Sequence, residues 1–180
     1  VNCASVNLQV PDLKSTSDYK VISIPYTPFP FTTAAPALTV PCGSQDDKFF
    51  DTTFLPFPFC FYDTVFTKCV LGTNGVVTFD MSNVLLGNNW DLDPPLAIPN
   101  TGSGTTGTGV CATPNGTLYP RSAIMGPYAD IFPQLSDPVY KIESRVEGIA
   151  PCRKYVICFS QVSLFGCSGS RVTSQIVLHE

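Results

Sequence analysis

Charge is scarce in this chain. Charged residues fill 13% of its 180 positions, about half of the roughly 25% usual in soluble domains. The net charge is a mild −4 and the basic residues form no run, so nucleic acid and anionic membrane surfaces are poor partners. Histidine occurs once, at His179, with no nucleophile motif near it. A triad needs a base set against a nucleophile, so His179 reads as a structural residue. Acid–base chemistry would then fall to carboxylates. Asp91 and Asp93 are neighbours but run into Pro94-Pro95, which reads as a turn, and a glycosidase pair faces across a cleft rather than along a chain. No apolar run approaches the roughly 20 residues of a membrane span. Val1-Asn-Cys-Ala-Ser lacks the charged start and apolar block of a signal peptide, so a mature secreted protein or an excised fragment is expected. No stretch carries a 3.6-residue apolar period, which removes helices from the expected fold.

What the chain has instead is aromatic rings, proline and cysteine. There are 13 Phe, 7 Tyr, 17 Pro and 8 Cys, against one Trp. Eight cysteines with one histidine point to an oxidising compartment and a disulfide framework. Zinc would want close Cys-x-x-Cys pairs, and Cys3, Cys42, Cys60, Cys69, Cys111, Cys152, Cys158 and Cys167 form none. All eight are expected in disulfides. Spacing alone leaves about 105 pairings open.

The stretch from Leu55 to Asp80 organises the rest. Leu55–Phe61 is an apolar strand whose Pro56 and Pro58 consign it to an edge or bend. After Tyr62-Asp63-Thr64, Val65–Leu71 resumes as a strand, and Gly72-Thr73-Asn74-Gly75 predicts a tight primed turn into Val76–Phe79. This Phe-rich double hairpin is suited to fill the middle of a β-sandwich. Upstream, residues 1–17 form an extension in which Val6, Leu8 and Val10 alternate, and residues 18–24 predict a strand. Prolines crowd the next segment, and Tyr26, Phe29 and Phe31 mark it as wrapped against the body rather than a linker. Residues 42–51 read as a polar loop. Residues 81–121 form a long irregular excursion containing the low-complexity Thr101–Gly109. Strands follow over Ser122–Ile131, Val139–Val146, Lys154–Val162 and Arg171–Glu180, with a loop at Ser163–Ser170. Short strands at such spacing predict an all-β fold, a disulfide-stapled sandwich or jelly roll with long loops, as one domain over residues 18–180.

Five stretches in order carry a resemblance: Leu55-Pro-Phe-Pro-Phe-Cys-Phe-Tyr, Val70-Leu-Gly-Thr-Asn-Gly-Val-Val-Thr-Phe-Asp, Ile124-Met-Gly-Pro-Tyr-Ala-Asp-Ile, Gly148-Ile-Ala-Pro-Cys-Arg-Lys-Tyr-Val-Ile-Cys-Phe and Thr173-Ser-Gln-Ile-Val-Leu-His-Glu. Together they resemble a domain of large type IX-secreted, gliding-motility-associated and adhesin-like surface proteins of the Bacteroidota. More distantly, the chain is similar to the nidogen-type extracellular domain. The resemblance implies a non-enzymatic module of the cell surface, in adhesion or in a filament or stalk, whose partners are neighbouring domains or subunits. The family's pattern continues past the last strand, which implies either that the remainder is cut off or disordered or that a strand from a neighbouring domain or subunit completes the sheet. Cys60, Cys152 and Cys167 fall where that family tends to carry cysteine, whereas Cys3, Cys42, Cys69 and Cys158 are additions to its pattern, which leaves the pairing open; the pairs expected are Cys152 with Cys167 and Cys69 with Cys158.

Other site candidates rest on residue type. Asp80, Asp91, Asp93, Asp130 and Asp137 are oxygen donors of the kind calcium takes. Asp130, in Gly126-Pro-Tyr-Ala-Asp, is the leading ligand, against a reading in which it accepts backbone hydrogens in a turn. Calcium is thus the one candidate cofactor. Trp90, between Asn89 and Asp91, is a candidate platform for surface glycans in an alternative lectin-like reading, against a Trp that plugs one end of the sandwich. Asp51-Thr52-Thr53 and Asp63-Thr64-Val65 resemble the Bacteroidota O-glycosylation sequon, which makes Thr52 and Thr64 candidate sites; Asn115-Gly-Thr fits the N-glycosylation sequon.

Overall fold

The computed structural model describes Ser23, residues 25–90, Cys111 and residues 120–180. Among these residues the fold is all-β. Eight strands, β1 (Thr53–Phe61), β2 (Thr64–Gly72), β3 (Val76–Thr78), β4 (Ala123–Met125), β5 (Ile131–Phe132), β6 (Lys141–Glu147), β7 (Lys154–Leu164) and β8 (Cys167–His179), are joined by one short 3-10 turn at Met81–Asn83. They form two antiparallel sheets. The first runs β1-β2-β3-β4. In the second, β7 is central: β6 pairs with its Lys154–Ser160 half, β5 with Ser163 and Leu164, and β8 runs along its other edge.

The core lies between the sheets. Phe57, Leu71, Val77 and Phe79 from the first face Ile142, Tyr155, Ile157, Phe159, Ile176 and Leu178 from the second, all buried. Phe79 sits at the centre of an aromatic cluster, its ring 4.7 Å from Phe66, 5.1 Å from Phe61 and 5.5 Å from Phe59. Such ring pairs add about 0.5–1.5 kcal/mol each beyond their buried area. The edge position predicted for the Pro56/Pro58 strand holds: β1 is terminal in its sheet, and its register slips between Phe54 and Phe59, across both prolines. A proline cannot give an N–H to a ladder, so the slip falls where the donors are missing.

Several expectations are corrected. The hairpin after Gly72 is real, but its loop is three residues, with Gly72 opposite Val76 and Gly75 N–H donating to Gly72 O. Gly75 alone takes the positive φ, 79°, which fits a type I turn closed by a left-handed glycine rather than a primed pair. Ser122–Ile131 is not one strand. The chain leaves β4 at Gly126-Pro127 and re-enters as β5 in the opposite sheet, because Pro127 cannot extend a ladder and Tyr128 adopts φ 28°. Ser163–Ser170 is mostly strand: Leu164 pairs with Cys167, and Gly166 at φ 64° closes the hairpin. Residues 42–51 hold two core rings, Phe49 and Phe50. The expected strands near Val6–Val10 and over residues 18–24 lie outside the described residues, Ser23 excepted.

The proline-rich segment does wrap the body, crossing the outer face of the second sheet. Phe29 exchanges two hydrogen bonds with the Gln175 side chain, and Arg145 donates to Pro30 O at 2.6 Å. Glu143, fully buried under it, accepts from Thr33 and forms ion pairs with Lys141 at 2.6 Å and Arg145 at 2.7 Å. Phe29 and Phe31 are half-buried, but Tyr26 is 83% exposed, contrary to the burial expected of it.

The disulfide framework is thinner than expected. Cys42 bonds Cys111, and Cys152 is also disulfide-bonded. Cys60, Cys69, Cys158 and Cys167 are free thiols. Neither pair expected from the resemblance forms. Cys69 faces the inter-sheet core, whereas Cys158 faces outward from β7 against Arg145 and Gln175. Cys152 precedes the Lys154 end of β7 and Cys167 follows its Leu164 end, separated by about 33 Å of strand at 3.3 Å per residue, far beyond the roughly 7 Å limit for a bridge.

Candidate functional site

At one end of the sandwich three loops converge on a knot of polar side chains, and Asn74 is its hub. Asn74 is fully buried in the β2–β3 hairpin loop. Its amide nitrogen donates to Asp47 Oδ1 at 2.8 Å and to Asn88 O at 2.9 Å, and its Oδ1 accepts the Ile131 N–H at 3.0 Å. Every hydrogen-bonding position of that amide is used except one acceptor lone pair. Asn88 is also fully buried, and its Oδ1 accepts the Asn74 N–H at 2.9 Å. The hairpin thereby ties down the 44–48 loop, the 87–90 loop and the β4–β5 crossover.

The result is an acidic cluster. One carboxylate oxygen from each of Asp46, Asp47 and Asp130 lies within 4.8 Å of the others. All three are half-buried. Burial first, then repulsion from Asp47 and Asp130, pushes Asp46 up to about 7; the Asp47 backbone N–H and Lys48 offset only part of this. Burial and the Asp47 charge push Asp130 up to about 6. Asp47 is raised by burial as well, against hydrogen bonds from Asn74 and Trp90 and the nearby Lys48. The Oδ1 of Asp46 is sealed from solvent and has no hydrogen-bond partner. Trp90, 37% exposed, borders the cluster, its side chain helping to hold down the Asp47 pKa against burial. The Tyr128 hydroxyl donates to Asn89 O at 2.7 Å and holds the Trp90 loop to the crossover. Chemically, this is an all-oxygen donor set beside an aromatic face.

A family model described as NIDO related matches residues 19–180. The chain belongs to the NIDO-related family. These are domains of extracellular type. No curated protein and no solved structure matches it.

The other candidate positions of this NIDO-related chain are scattered. Asp80 caps the 3-10 turn, accepting from the N–H and hydroxyl of Ser82, and Asp137 pairs with Arg171 at 2.7 Å. Neither is near the cluster, because each is committed to its own turn or ion pair. Asp91, Asp93, Asn115 and Cys3 lie outside the described residues. Of the three described aspartates named as donors, Asp80, Asp130 and Asp137, only Asp130 enters the cluster; Asp46 and Asp47 were missed. Their adjacency, inside a loop bounded by Cys42 and Phe49-Phe50, was the available signal. Thr52 is half-buried and accompanies an Asp51 side chain that bonds its N–H, while Thr64 is exposed at the start of β2. His179 closes β8 and lines a shallow cleft of about 430 Å³ with Phe29, Glu147, Arg153, Lys154 and Glu180.

Proposed function

We propose that this NIDO-related chain is a non-enzymatic extracellular module of a bacterial surface protein of the Bacteroidota kind, working by contact in adhesion or in the architecture of a surface assembly. One observation supports this most. β8, 13 residues long, is paired on one side by β7 and by no strand on its other side among the described residues. A long free edge offers a row of backbone donors and acceptors to an incoming strand. A neighbouring domain or subunit that donates a strand there would join modules in series, as the resemblance implies. Beads carrying the folded chain should be retained on envelope fragments of the producing cells, with no hydrolysis of glycan or peptide substrates. Retention no greater than that of beads carrying the denatured chain would overturn the reading.

A second reading, a carbohydrate-binding module, is favoured by the placement of Trp90 against Asp47. An exposed indole gives a sugar ring an apolar platform, and carboxylates take its hydroxyls. A glycan array without hits, with and without calcium, would count against it.

A further inference from the structure

We propose that the cleft between the proline-rich segment and β8 selects the strand that joins the free edge: an extended segment carrying an apolar side chain and, two residues along, an acidic one. This inference rests on the edge reading above and adds the chemistry of the partner. Glu180 N–H donates to Arg153 O, so Glu180 turns its backbone groups toward β7. The ladder runs from Lys154 and His179 to Phe159 and Ser174 without a slip. His179, Val177, Gln175 and Thr173 therefore turn their N–H and C=O groups to the open edge. Their side chains lie on the outer face of the sheet, opposite to the core-facing Ile176 and Leu178. The same four residues thus offer backbone bonds to a strand and floor a cleft of about 500 Å³, walled by Tyr26 and Phe29.

Both side-chain preferences are read from the cleft. Gln175 is spent on the Phe29 backbone, which leaves Val177 as the apolar part of the floor. Tyr26, on the wall, is 83% exposed, a ring that an apolar side chain placed opposite Val177 would cover. No carboxylate lines the cleft, but Lys154 and His179 do, side by side as cross-strand partners. Lys154 Nζ stands 5.2 Å from the centre of the Phe29 ring and has no ion pair among the described residues. Glu147, its cross-strand partner on β6, is taken by Arg145 at 2.7 Å. An acidic group opposite His179 would meet this unmatched charge. The β8 strand of a second copy is a poor occupant: Cys167–His179 contains no Asp or Glu and would bring Arg171 and His179 to the same edge.

Two fluorescein-labelled peptides test this, Thr-Val-Thr-Val-Thr-Glu-Thr and the same sequence with Lys in place of Glu. The whole chain should bind the Glu peptide roughly tenfold more tightly than the Lys peptide, and Lys154→Glu should reverse the order. Tyr26→Ala should weaken the Glu peptide by about fivefold. The bound peptide should slow hydrogen exchange at the Thr173, Gln175, Val177 and His179 amides. Equal affinities for the two peptides, with those amides protected, would overturn the inference and leave the edge reading standing. If neither peptide protects them, the inference falls, and with it the claim that β8 accepts a strand. Amides already protected in the peptide-free chain, by a second copy or by another part of the chain, would overturn both as well. Should Lys154→Glu fail to fold, the comparison of the two peptides on the wild type decides.

Discussion

Replacing Asn74 with alanine removes three side-chain hydrogen bonds at once: to Asp47 Oδ1, to Asn88 O and from Ile131 N–H. The Asn74 N–H keeps its bond to Asn88 Oδ1. Each lost bond is worth about 1 kcal/mol net, and an orphaned buried partner costs about 1–3 kcal/mol. The Ile131 N–H keeps its 2.7 Å bond to Ala129 O, so it is not orphaned. The sum comes to roughly 3 kcal/mol, a large share of the 5–15 kcal/mol typical of a domain. Equilibrium urea unfolding measures it, with Trp90 fluorescence as a second probe of the loop that Asn74 tethers. Asn74→Asp sharpens the test. It keeps an acceptor for Ile131 but sets a fourth carboxylate against Asp47, so it should destabilise at least as much as alanine. A loss below about 1 kcal/mol in both variants would refute the view that one buried amide holds the three loops together.

Other predictions follow from the same structure. Gly75→Ala drives a Cβ into the Pro127 ring and must hold φ 79°, so unfolding experiments should show a loss of about 1–3 kcal/mol. Cys42→Ala/Cys111→Ala opens a link across 69 residues and should cost about 4 kcal/mol by loop entropy, read from urea midpoints. Thiol titration of the native chain should label exposed Cys60 and Cys167 quickly, and buried Cys69 and Cys158 only on unfolding; burial pushes the Cys69 thiol up to about 12, which keeps it inert. Burial pushes the Glu143 carboxyl up, but hydrogen bonds from Lys141 and Thr33 outweigh it and hold it below its ordinary 4.5. Its stabilising contribution is therefore complete above that value and lost as pH falls through the lower folded-state value. Glu143→Gln should flatten this acid limb of a stability–pH curve and cost about 3 kcal/mol at neutral pH.

Much of the architecture was legible because its signals are local. Pro56 and Pro58 announce an edge wherever they stand, and Asn74-Gly75 announces a hairpin. The alternation of β6 and the apolar run of β7 carry their own pairing. What escaped depends on contacts between distant segments. Gly126-Pro127 reads as part of a strand until Gly126 N–H is seen donating to Gly75 O across the sheet. Cys69 and Cys158 lie on apolar strands of similar appearance, yet one faces the core and the other the outer face, and neighbours alone decide which. The candidate site divides the same way. Asp130 and Trp90 were each visible as residue types in loops, but no spacing connects them to Asp46 and Asp47. That connection is made by Asn74, a residue whose turn propensity hid its buried role.

Amide hydrogen exchange along β8 tests the contact-module account most directly. In an antiparallel edge strand alternate residues point their N–H groups outward. In the isolated chain those outward amides of Arg171–His179 should exchange fast while the inward ones, bonded to β7, exchange slowly. In the native surface assembly both sets should be slow. Outward amides that are already protected in the isolated chain, or that stay fast in the assembly, would contradict it.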